Sequence, residues 1–84
     1  MRLLWEDRAR EENLYWQSQD KKTLKRINAL VKDIQRNPFK GIGKPEQLKD
    51  NLSGMWSRRI DDKNRIVYYS KDEIAYIVSC KEHY

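Results

Sequence analysis

The sequence predicts an α+β domain in which an antiparallel β-sheet packs against two N-terminal helices. Three observations carry this expectation. Apolar residues recur at helical spacing through the first part of the chain. Three β-branched and aromatic runs follow one another in the last part. The whole chain has 84 residues, enough for one modest core, so residues 1–84 read as a single domain.

Taken in order, Arg2-Leu3-Leu4-Trp5 is a short apolar opening that reads as a strand. From Glu6 the pattern turns polar, with Ala9, Leu14 and Trp16 as its apolar members, and Glu6 and Asp7 suit the first turn of a helix. Asp20 is an N-cap residue for a second helix. There Leu24, Ile27, Leu30, Val31 and Ile34 form one stripe, and Lys21, Lys22, Lys25, Lys32 and Asp33 are left toward water. Pro38 disfavours helical geometry in the residue before it, so this helix ends at Asn37. The segment "NPFKGIGKPEQLK" holds both prolines and two of the three glycines, and reads as a loop.

After the loop, "GMWSRRI", "RIVYY" and "IAYIVSC" are strand-like runs divided by the polar turns "DDKN" and "SKDE". They predict an antiparallel meander. Burial selects a register in which Arg59 faces Arg65. Trp56, Ile60, Ile66 and Tyr68 then share one face, while Ser57, Arg59 and Arg65 share the other, with Val67 its awkward member. Ser79 and Lys81 have the parity of His83. The expected sheet has an apolar face under the helices and a cationic face open to a ligand.

Composition narrows the partner class. Only 38% of residues are hydrophobic and 37% are charged, yet three Trp, five Tyr and one Phe are present, which fits a folded domain with a charged skin. Trp5, Trp16 and Trp56 read as core residues, because so small a domain needs its large apolar side chains. The net charge of +5 favours a polyanionic partner. Cys80 is the only cysteine, no internal disulfide can form, and no apolar run reaches membrane-spanning length, so the expected setting is the cytoplasm. No zinc-like spacing or phosphate-binding glycine loop occurs. The expectation is no cofactor and no metal, with catalysis by the protein's own acids and bases.

The candidates for such chemistry are Glu46 and Lys49 in the loop, Arg59 and Arg65 on the hairpin, and His83 and Tyr84 at the end. His83 is the sole histidine, the one side chain that ordinarily titrates near neutral pH. Each candidate also has a plain alternative as an exposed charge or a frayed terminus.

The motifs "PFKGIGKPEQLK", "NLSGMWSRRI", "RIVY" and the terminal "CKEHY", in this order, resemble the YoeB toxins of the RelE superfamily. The likeness runs the length of the chain and includes "YWQ" and "D-K" between the first two helices. It implies a RelE-like fold and a ribosome-dependent, metal-independent mRNA endonuclease, the toxin of a type II toxin–antitoxin pair that inhibits translation. It further implies Glu46 as general base, His83 as general acid, Arg65 as transition-state stabiliser and Tyr84 as an orienting or stacking residue. Lys49 and Arg59, with Lys44 beside them, are implied phosphate contacts. The implied partners are mRNA on the ribosome, ribosomal RNA, a YefM-like antitoxin and a second copy of the chain, with no membrane.

Such chemistry has a clear demand for these groups. When a 2′-OH attacks the neighbouring phosphorus, a hydroxyl loses a proton, an alkoxide gains one, and the phosphoryl oxygens gather charge. A carboxylate, an imidazolium and guanidinium groups answer these needs in turn. A carboxylate is a mediocre base at neutral pH, so Glu46 has two open roles, accepting the proton or orienting the 2′-OH. Two readings from other classes compete. One is a non-catalytic basic module that binds RNA or DNA; the other is an interaction domain for an acidic peptide.

Overall fold

A computed structural model describes residues 1–82 of the chain. Its elements run β1 (Arg2–Trp5), α1 (Asp7–Gln19), α2 (Lys21–Arg36), β2 (Glu46–Gln47), a 3-10 turn (Asp50–Leu52), β3 (Trp56–Arg59), β4 (Arg65–Lys71) and β5 (Ile74–Ser79). The two helices meet at Asp20. Its carboxylate accepts the backbone N–H groups of Lys22 and Thr23, satisfying donors that a helix start leaves orphaned. At the other end of α2, Asn37 is extended, as the residue before a proline must be.

The five strands form one sheet in the order β1-β5-β4-β3-β2. β3, β4 and β5 pair antiparallel as expected, with Arg59 opposite Arg65, and β2 adds to β3, also antiparallel. The sheet is nevertheless mixed, because β1 joins β5 in parallel. The helical hairpin carries the chain away from β1, and the sheet edge that remains open to β1 is that of β5. Helix residues Ala9, Trp16, Ile27, Leu30, Val31 and Ile34 pack with Ile60, Ile66, Tyr68, Ala75, Ile77 and Cys80 in the core, with Trp5 and Trp56 half-buried against it.

Three further expectations are corrected. The loop after α2 contains the short strand β2. The "SKDE" turn shrinks to Asp72 and Glu73, both at positive φ, the geometry of a two-residue hairpin whose twist matches its strands. Asp33 does not face water freely: it is paired with Arg58, which is wholly buried on the helix side of β3.

Arg58 organises the loop that follows α2. Its Nε donates to Tyr68 Oη, its Nη1 to Asp33 Oδ2 and the Ile42 carbonyl, and its Nη2 to the carbonyls of Asn37 and Lys40. All five guanidinium donors are thus used, the condition for burying this group. Gly41 passes so close that a Cβ there would lie 1.8 Å from Asp33 Oδ2.

Candidate active site

The pairing register builds a row across the sheet face that lies away from the helices. Glu46 pairs with Ser57, Ser57 with Val67, and Val67 with Ser79. The last step needs a register shift, since Tyr68 pairs with Ile77 and Val78 is left over on β5. An extra residue of this kind changes which side chains face which side. It lets Ile77 stay in the core while Ser79 joins the opposite row. That face is less open than expected, because Ser57, Val67 and Ser79 are all buried.

Arg65, next to this row, reaches back across it. Its Nη1 donates to Glu46 Oε1 and to Ser57 Oγ, each at 3.0 Å. The Arg65 side chain is 21% exposed and that of Glu46 is 54% exposed, so the pair is reachable by a ligand. Glu46 and Lys49 line one shallow depression of about 660 Å³ together with the 3-10 turn. Lys44 and Arg59 line another of about 290 Å³, which also takes in Arg26. Arg59 Nη2 meets Asp62 Oδ1 at 3.0 Å, and the Asp62 side chain is fully exposed; such a surface pair is weak and easily exchanged.

Glu46 thus contacts Arg65 and shares a depression with Lys49, while Arg59 pairs with Arg65 in the β3–β4 ladder and lines the second depression. Lys44 shares that second depression with Arg59. His83 and Tyr84 lie outside the described residues. Ser57, Asn64 and Glu82 are additions that the sequence reading did not select as site residues. The Arg65 N–H donates to the Glu82 carbonyl at 3.3 Å, and the Glu82 N–H donates to Asn64 Oδ1 at 2.6 Å. The available signal for Ser57 was its place on the same face as Arg59 and Arg65. The tie at Glu82 had no signal in spacing or composition.

Charge around the site is fixed by hydrogen bonding. Burial raises the Asp61 carboxyl, but bonds from the Asn64 side chain and from the Lys63 and Asn64 N–H groups outweigh it and hold the group below the ordinary carboxylate range. The bond from Arg58 does the same for Asp33, helped by the Ile42 N–H. Hydrogen bonding to Glu82 keeps Lys81 protonated above the usual lysine value. Burial, with Glu12 nearby, pushes the Cys80 thiol up to about 12.

Comparison with known proteins matches the sequence and the fold to a family. The family model for the YoeB-like toxin of bacterial type II toxin–antitoxin systems matches residues 5–84. The Toxin YoeB of Escherichia coli K12 is 50% identical over 84 residues, covering all of both chains. The YoeB dimer from Staphylococcus aureus superposes with a TM-score of 0.92 at 47% identity, covering 100% of this chain and 98% of that one. The YoeB–YefM complex from Staphylococcus aureus gives 0.91 at 46% identity with the same coverage. With its motifs, its mixed sheet and its full-length likeness in agreement, this chain belongs to the YoeB-like toxins of bacterial type II toxin–antitoxin systems.

Proposed function

We propose that this toxin is an endoribonuclease that cuts mRNA on the ribosome through attack of a 2′-OH on the adjoining phosphorus. The observation that supports this most is the contact of Arg65 with Glu46, a proton acceptor beside a fixed positive charge, with the Glu82 carbonyl bonded to the Arg65 N–H.

In this reading the 2′-oxygen forms a bond to phosphorus as the bond from phosphorus to the 5′-oxygen breaks. Glu46 takes or orients the 2′ proton; Oε1 already holds Arg65, so Oε2 is the oxygen left for it. Arg65 stabilises charge on the phosphoryl oxygens by trading part of its hold on Glu46 for the phosphate. His83 gives its proton to the departing 5′-oxygen, and Tyr84 orients or stacks on the nucleotide. Lys44, Lys49 and Arg59 hold neighbouring phosphates. The products are a 2′,3′-cyclic phosphate and a 5′-hydroxyl, and the two proton transfers balance without a metal.

The ribosome's part is alignment. A shallow site on a small domain holds flexible RNA poorly, whereas aligned groups reach effective molarities of about 10⁵ M or more. A +5 surface meets ribosomal RNA through salt-sensitive phosphate contacts. The same charge suits the acidic segment of a YefM-type antitoxin; the Staphylococcus aureus relative forms a YoeB–YefM complex, and a homodimer follows the dimer of that relative. These partners belong to the cytoplasm.

The test is in vitro translation with purified protein, mapping message ends for the native chain and for His83→Gln. Cleavage within the decoding site by the native chain, lost in the variant, is the expected outcome. Unchanged cleavage by His83→Gln would overturn the assignment, and absence of cleavage by the native chain would return the protein to a binding role.

A further inference from the structure

We propose that Asn64 is a positioning residue for the general acid, its amide anchoring the chain at Glu82, one residue before His83, to the β3–β4 hairpin beside Arg65. This rests on the endoribonuclease reading, in which His83 delivers the proton.

A chain terminus frays unless something holds it. β5 ends at Ser79, and the next residue is secured by α1: the Cys80 N–H donates to Glu12 Oε1 at 2.8 Å and its carbonyl accepts Trp16 Nε1–H at 2.9 Å. Beyond Cys80 the main chain of the described residues is tied at Glu82, through the Asn64 side chain at 2.6 Å and the Arg65 N–H at 3.3 Å. The Asn64 bond is the shorter of the two.

The Asn64 amide is itself aimed. Its Nδ2 donates to Asp61 Oδ1 and Oδ2 at 3.0 and 3.1 Å, and Asp61 Oδ1 also accepts the N–H groups of Lys63 and Asn64. Only one orientation of the amide offers NH₂ to the carboxylate and oxygen to the Glu82 N–H. With 7% exposure, Asn64 has little freedom to turn.

The conformation it holds is not a default one. Glu82 has φ +63, a left-handed backbone that brings the Cβ of a non-glycine residue too close to the following carbonyl oxygen. Such a conformation persists where its surroundings over-determine it. His83 follows Glu82 directly in the sequence, so the Asn64 bond secures the last described residue before the acid. A misplacement of about 1 Å can cost on the order of 10² in rate.

The test uses ribosomes programmed with two synthetic messages, one with the ordinary 5′-oxygen at the scissile linkage and one with sulfur in its place. A thiolate leaves without needing a proton, since thiols ionise near pH 8.5. Cleavage of each message is timed for the native chain, His83→Gln and Asn64→Ala. We expect His83→Gln to slow the oxygen substrate at least about 10²-fold and to recover on sulfur. We expect Asn64→Ala to lose about 10-fold or more on oxygen and to come within about 2-fold of the native chain on sulfur. Both rates come from the same preparation, so their ratio is unaffected by any loss of folded protein. A native sulfur-to-oxygen ratio in Asn64→Ala would overturn the role of Asn64. A His83→Gln chain equally slow on both messages would overturn the general-acid reading on which that role rests.

Discussion

Arg58, with no exposure to solvent, is bonded to Asp33 near the end of α2, so the buried side of β3 and the loop leading to Glu46 share one anchor. Removing one partner of a buried pair leaves a charge uncompensated, typically costing about 3–5 kcal/mol. Four other guanidinium bonds remain here and the Asp33 side chain is 18% exposed, so we expect the low end, about 3 kcal/mol, for Asp33→Ala. Urea unfolding followed by tryptophan fluorescence measures it. A loss below about 1 kcal/mol, the size of an exposed pair, would show that this anchor does not hold the loop.

The same group sets a dependence on pH. Arg58 lowers Asp33, and hydrogen bonds lower Asp61 and Asp20, each below its ordinary value. A carboxyl depressed in the folded state adds stability that is fully present above its unfolded value, near 3.9, and is lost as pH falls through the lower folded value. We expect Tm to be level above about pH 5 and to drop steeply below about pH 4. Asp33→Asn should flatten part of that drop. A melting temperature that holds to pH 2 would contradict the linkage.

Cys80 offers a test of the tail's anchorage. Its thiol is buried and raised to about 12, so at pH 8 the thiolate fraction is on the order of 10⁻⁴. We expect a maleimide reagent to modify it only as fast as the chain opens. Glu12→Ala, which removes the acceptor of the Cys80 N–H, should speed modification at least several-fold while the native chain stays protected. Rapid labelling of the native chain would mean that this end of the sheet is not secured by α1.

Local rules were legible where local chemistry decides. Asp20 caps, Pro38 stops a helix, and the hairpin register follows from keeping Ile60, Ile66 and Tyr68 on one side. The parallel pairing of β1 was not legible, because four residues carry no information about a partner at the far end of the chain. Nor was the shift at Val78, which depends on how β5 crosses its neighbour. Arg58 shows a missed inference of another kind. Alternation places it between Trp56 and Ile60 on the buried side, and a buried arginine demands acceptors. Asp33, one turn beyond Leu30, lies near the edge of the stripe that would supply one. Within the candidate site, the roles of Glu46 and Arg65 came from motif resemblance, while their contact is a property of the fold that no spacing in the sequence expresses.

Arg65 is where stability and activity should separate. Its pair with Glu46 is partly exposed, so Arg65→Ala should cost only about 1 kcal/mol in folding. If Arg65 carries transition-state charge, the same change should slow cleavage roughly 10² to 10³-fold. A message with hydrogen in place of the attacking 2′-OH should not be cut at all, because no nucleophile remains. Urea titration and single-turnover cleavage on programmed ribosomes give the two quantities side by side. A folded Arg65→Ala chain cutting at the native rate would leave the contact with Glu46 as scaffolding, and scission of the deoxy-substituted message would require a different attacking group.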